Sequence, residues 1–162
     1  MKRQLLGALA FVAATLAAFD ASAVICSGAT TPVAFGAYDV FATGNDDSTG
    51  TVVVTCSKDA GDPNGGVSVS YEVEMGTGGS GNVTQRRMSS AGFTLNYNLY
   101  TNTARTTLWG NGVNGQSVTG NFNLTNGTPT RTRTHNVFGR IPPLQDANVG
   151  TYQDNVLVTI QY

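Results

Sequence analysis

Apolar and polar side chains alternate with a period of two along much of this chain. That period fits pleated strands and leaves little room for anything else. From Val67 to Met75, the residues Val67, Val69, Tyr71, Val73 and Met75 share one face, and Ser68, Ser70, Glu72 and Glu74 share the other. From Phe93 to Tyr100, Phe93, Leu95, Tyr97 and Leu99 alternate with Thr94, Asn96 and Asn98. At the end, Val156, Val158, Ile160 and Tyr162 alternate with Leu157, Thr159 and Gln161. Each run reads as a half-buried strand. Shorter strand candidates are Val33 to Val40, Thr51 to Cys56, Ser117 to Leu124 and Thr134 to Phe138.

Turn-forming clusters separate the runs, among them Gly44-Asn45-Asp46-Asp47, Gly61 to Gly66 and Gly110 to Gly115. Gly, Asn and Asp supply positive φ and local side-chain hydrogen bonds at such points. No stretch of helical length after the N-terminal segment carries an apolar face of period 3.6. Short strands punctuated by turns in one domain-sized chain predict an all-β sandwich. No internal repeat or domain boundary interrupts it.

The first 23 residues have a different character. Lys2 and Arg3 precede an uncharged, mostly apolar run from Leu5 to Phe19, and Ala21-Ser22-Ala23 offers small residues for cleavage. This is the order of a secretory signal peptide. The run of 15 residues is shorter than the roughly 20 that a membrane span needs. Residues 24–162 are then the mature domain, with no integral membrane segment after cleavage. Export to an oxidising compartment predicts a disulfide between the two cysteines, Cys26 and Cys56. Two free thiols or a metal pair are the competing readings. A metal shell has little else to draw on, because the chain has one histidine and no other cysteine.

Charge narrows the function. Charged residues make up 12% of the sequence, about half the usual share, and Lys58 is the only lysine beyond Lys2. No basic patch exists for nucleic acid. The polar surface must be Thr, Ser, Asn and Gly, which suits contact with other protein chains.

The motifs that suggest chemistry read more simply as structure. Gly76 to Gly81 fits G-x-G-x-x-G, but no helical pattern follows it, so a hairpin loop is expected in place of a dinucleotide site. A Ser–His–Asp triad would have to use His135, and no nucleophile elbow is present. His135 lies in the polar stretch Arg131 to Asn136 and is expected on a strand surface. Arg86, Arg87, Arg105, Arg131, Arg133 and Arg140 are expected as scattered surface arginines. Three Asn-x-Thr sequons, at Asn82, Asn123 and Asn126, are assigned no role. Catalytic, cofactor and metal residues are all read as none, and the chain as non-enzymatic.

An ordered set of segments resembles the spore coat protein U domain family, which includes subunits of archaic chaperone–usher pili. Cys26 is followed by Val33-Ala34-Phe35-Gly36-Ala37-Tyr38-Asp39, then by Val52-Val53-Val54-Thr55-Cys56. Arg87-Met88 precedes Leu95 to Tyr100 and Leu108-Trp109-Gly110. Val137 to Pro142 leads to Gly150-Thr151-Tyr152-Gln153-Asp154 and the last strand. The resemblance implies an immunoglobulin-like β-sandwich, incomplete at six strands, whose open groove takes a strand donated by a partner. It also implies a periplasmic chaperone, an outer-membrane usher and other pilus or coat subunits as partners. The route is through the periplasm to the cell surface, a pilus or an extracellular coat.

Val156, Val158, Ile160 and Tyr162 are expected to form the assembly strand beside the groove, with Phe35, Tyr97, Leu99 and Trp109 as core or groove residues. Pilin shaft subunits of the family carry an alternating apolar extension before the first cysteine, where this chain has only Val24 and Ile25. A terminal or tip-like subunit, or a coat protein that does not polymerise in a chain, is therefore expected. The alternative is a single-domain adhesin recognising a glycan or a surface through aromatics near Trp109 and Tyr100.

Overall fold

The computed structural model describes residues 24–59 and 65–162. The expected signal peptide falls outside them. Among the described residues there are nine strands: β1 (Val24–Thr31), β2 (Asp46–Lys58), β3 (Gly66–Met75), β4 (Arg87–Ser90), β5 (Phe93–Asn96), β6 (Asn98–Tyr100), β7 (Val118–Thr125), β8 (Thr130–Ile141) and β9 (Val158–Gln161). Helix is limited, among the described residues, to two three-residue 3-10 turns, Gly78–Ser80 and Val83–Gln85.

All strand pairs are antiparallel. One sheet has the order β1-β2-β8-β6, a second β7-β3-β9, and β4 and β5 form a separate hairpin. The predicted alternation explains how the two larger sheets bury a common core. Val52, Val54 and Cys56 on β2 and Val137 and Ile141 on β8 face Val69, Tyr71, Val73 and Met75 on β3. Phe122 and Leu124 on β7 join them. Burying side chains of this size stabilises by about 1.5–3 kcal/mol each, which makes the facing pattern the main determinant of the fold.

The Cys26–Cys56 disulfide is formed. Its cysteines sit directly opposite each other in the β1–β2 register, so it ties the edge strand β1 to β2.

Several expectations change. The segment Val33 to Val40 is not a strand. Pro32 ends β1, because its nitrogen has no proton to donate, and the chain then turns into the sandwich. Ala34 gives its carbonyl to Ser48 Oγ at 2.6 Å. Val33 and Phe35 lie over Gly139, where a Cβ would stand 2.5 Å from Val33 and 2.7 Å from Phe35. A side chain at 139 would exclude this crossing. Phe93 to Tyr100 divides at Tyr97, whose N–H turns to Arg86 O at 3.0 Å. This division, the short β4 and the strand β1 raise the number among the described residues above six.

His135 does not sit on the surface. It points inward, half-buried, with Nε2 2.9 Å from the Tyr71 hydroxyl and its ring edge-on to Tyr71 and Trp109. Arg86 is likewise no surface arginine, being fully buried. Gly76 to Gly81 is a loop, but not the hairpin expected, because it joins β3 to β4, which lie in different sheets; a 3-10 turn within it donates Gly79 N–H to Asp154 Oδ1 at 2.8 Å.

Candidate functional site

Each large sheet leaves one strand edge unpaired on the same side of the sandwich. Among the described residues β1 pairs only with β2, and β9 only with β3. The two edges border a cleft made of three cavities that share lining residues. The narrow end, about 280 Å³, lies between Cys26, Gly28 and Thr30 on β1 and Val158 and Ile160 on β9. The central part, about 410 Å³, has Met75, Met88, Tyr97, Leu99 and Val137 as its floor. The wide end, about 660 Å³, opens between residues 33–41 and residues 147–152.

The two edges run in opposite directions along this cleft. Gly28 and Ile160 meet at the narrow end, and residues 30–35 accompany residues 158 down to 152 in the centre. A strand laid between them would therefore run parallel to one edge and antiparallel to the other.

β9 is aligned at the cleft by the chain that leads into it. Ser89 and Gln153 exchange both backbone hydrogen bonds, at 3.0 and 3.2 Å. Gly76 N–H donates to Leu157 O at 2.9 Å. Between these points Asp154 accepts from the Tyr97 hydroxyl at 2.8 Å as well as from Gly79. Burial, helped by the Asp154 carboxylate, raises the Tyr97 phenol well above its ordinary pKa. It stays a protonated donor, and Asp154 stays fixed.

Beneath this lead-in lies Arg86. Its Nε and Nη2 donate to Gly76 O at 3.0 and 2.6 Å, Nη2 also to Trp109 O at 2.8 Å, and Nη1 to Asn98 Oδ1 at 3.0 Å. Trp109 is fully buried and gives its indole N–H to Val73 O at 3.0 Å. Burial pulls the Arg86 pKa down, and the nearby Tyr97 and Asp154 act against that shift.

The expected assembly residues separate. Val158 and Ile160 lie in β9 and line the cleft, and Val156 lines it just before the strand begins. Tyr162 follows the strand, is 60% exposed, and lines a different surface with Ser70, Thr119 and Arg133. The cause is that β9 ends at Gln161. Phe35, Tyr97 and Leu99 line the cleft, whereas Trp109 belongs to the core. Tyr152, Met88 and Gly28 were not foreseen. Tyr152 continues the two-residue period upstream of Val156, a signal masked by the charge of Asp154 between them. Among the described residues no group of three or more His, Cys, Asp or Glu side chains could hold a metal.

The curated proteins searched contain no match to this sequence. Among solved structures, the chain is similar to one in the chaperone–tip adhesion subunit pre-assembly complex of the archaic chaperone–usher Csu pili of Acinetobacter baumannii. The TM-score is 0.56 at 22% identity, over 86% of this chain and 40% of the other. The fold is thus shared, and the present chain spans less than half the length of the matched one. A family model, the Spore Coat Protein U domain, matches residues 12–159, and the chain belongs to that family.

Proposed function

We propose that this chain is a structural subunit of a bacterial surface assembly, a pilus or coat, completed by a strand from another polypeptide. The observation that carries this reading is the cleft with an unpaired strand edge on each side and apolar side chains at its floor. Unpaired edges over an apolar interior are aggregation sites unless another strand covers them. Strand addition supplies backbone hydrogen bonds from both edges and sockets for alternate side chains. A periplasmic chaperone would occupy the cleft first, an outer-membrane usher would pass the subunit on, and a neighbouring subunit would fill it last. The fold shared with a chain of a chaperone–subunit pre-assembly complex supports a chaperone as the first partner. A terminal position is the finer form of the proposal; Val24 and Ile25 themselves pair with Lys58 and Ser57 of β2 and are held within this domain. The adhesin alternative loses one of its two aromatics, because Trp109 is core.

The test is to mix the purified chain with a synthetic peptide of alternating apolar residues and follow thermal unfolding. Binding at a hundredfold excess over Kd adds about 2.7 kcal/mol and raises Tm by several degrees. An unchanged Tm with every such peptide sinks the proposal. For the finer claim, the mature chain should stay monomeric at high concentration, and self-polymerisation would refute it.

A further inference from the structure

Ile160 crosses the narrow end of the cleft. A Cβ built on Gly28 would stand 2.5 Å from Ile160 Cδ1, so the isoleucine side chain already rests against the β1 backbone. The cavity left there, about 280 Å³, is smaller than the central and wide parts, about 410 and 660 Å³. Gly28 follows Cys26 by two residues on the same face of β1, and the disulfide holds that stretch of β1 against β2. β1 therefore cannot retreat there to widen the gap. Further along, the opposing positions differ. Met88, Leu99 and Val137 line the central part, where the open volume rises to about 410 Å³.

We infer that Ile160 and Gly28 set the sequence of the incoming strand: a small residue, Gly or Ala, at its inward position over this pair, and bulky aliphatic residues at the inward positions beyond. The inference rests on the strand-addition reading above and adds the selectivity of that same cleft. Its physical basis is steric. Interiors pack at crystal-like density, so a branched side chain brought to a place that Ile160 occupies must displace it. An unoccupied socket, by contrast, gains from each methylene that fills it. The selection is local, because successive inward positions of a strand are about 7 Å apart.

The test uses a family of alternating peptides with valine at every inward position, each carrying glycine at one of them in turn. Scanning all positions removes any need to assume the direction or register of binding. Affinity is measured for the wild-type chain and for Ile160→Ala and Ile160→Val. Glycine at one terminal inward position should leave wild-type affinity unchanged or improve it, while glycine at the inner positions should weaken it about tenfold, the cost of an unfilled socket. In Ile160→Ala that tolerance should disappear, and the all-valine peptide should bind more tightly than it does to wild type. Ile160→Val should fall between. Equal loss at every position in wild type, or an unchanged profile in Ile160→Ala, overturns the inference while leaving strand addition intact. Failure of all peptides to bind any of the three chains overturns both.

Discussion

Around Trp109 the sheets meet with their polar groups answered, whereas between β1 and β9 they part over apolar side chains. Arg86 donates there to the carbonyls of Gly76, Trp109, Met75 and Val83 and to the Asn98 amide oxygen, and the Trp109 indole donates to the Val73 carbonyl. Among the described residues no buried side-chain nitrogen or oxygen lacks a partner. Val156, just before β9, and Val158 and Ile160 within it show the same alternation as Val69, Tyr71 and Val73 on β3, yet stay half-buried. The difference teaches that one pattern yields a sealed core or an open cleft according to whether a second sheet lies opposite. β3 sits in mid-sheet and faces β2 and β8. β9 stands at an edge, with β1 across a gap.

The comparison breaks most strongly at Arg86. Arg86→Met should remove the donor of several buried carbonyls and cost roughly 3–5 kcal/mol, the range for buried charged networks. Arg86→Lys should recover only part, since an ammonium cannot reproduce the planar fork. Urea unfolding followed by Trp109 fluorescence would measure both. A loss under about 1 kcal/mol would mean that the sealed region does not depend on this side chain.

The disulfide comes next. It closes a loop of 30 residues, which in the chain-entropy model contributes about 3 kcal/mol. Cys26→Ser should lower stability by about that much under non-reducing conditions. Hydrogen exchange should also rise first in β1, the cleft's edge. If the exchange spread evenly over both sheets, β1 would not be a separately held wall.

A paired valine substitution sharpens the contrast at smaller scale. Val73 is fully buried and Val158 half-buried. Val73→Ala should cost about 2 kcal/mol whether or not a peptide fills the cleft, and Val158→Ala about 1 kcal/mol alone. Only Val158→Ala should also weaken peptide binding. Equal effects of both on binding would argue that the cleft is no more specific than the core.

The sequence made the strands legible where alternation was strict. β3 and β9 are where Val67–Met75 and Val156–Tyr162 place them, within two residues. The pairing of Cys26 with Cys56 was expected from the presence of just two cysteines in a chain read as exported. What stayed hidden depended on neighbours distant in sequence. Val33–Val40 has strand-like composition, but its path over Gly139 is set by a strand about a hundred residues later. Arg86 and Arg87 are adjacent and identical in type. Acceptors from other segments, the carbonyls of Met75, Gly76 and Trp109 and the Asn98 amide oxygen, make the first of them a core residue. Ile160 was read as a strand residue, but its reach to Gly28 needed the packing of β1 against β9.

The smallest expected effect is that of pH on the sealed region. His135 bonds Tyr71 and faces Trp109, with Arg133 two residues away. Burial first, and the Arg133 charge second, lower its pKa below the usual 6.5. The unfolded chain therefore binds a proton more readily than the folded one. Stability from this site is complete above about pH 6.5 and is lost as pH falls through the lower, folded value. Because the ring is partly exposed, solvent screening should keep the loss under about 1 kcal/mol. Unperturbed carboxylates titrate near pH 4. Asp47, paired with Arg140 and Arg105, has a lowered pKa and destabilises the fold on further acidification. Asp46, raised by burial and by Asp47, pulls the other way. Comparing urea unfolding at pH 7.5 and 5.5 therefore isolates the histidine. His135→Gln keeps a hydrogen-bonding side chain but does not titrate, and its stability should stay level across that interval while the wild type declines. Parallel declines in the two proteins would assign the acid sensitivity to another group and leave the Tyr71–His135 contact without a pH role.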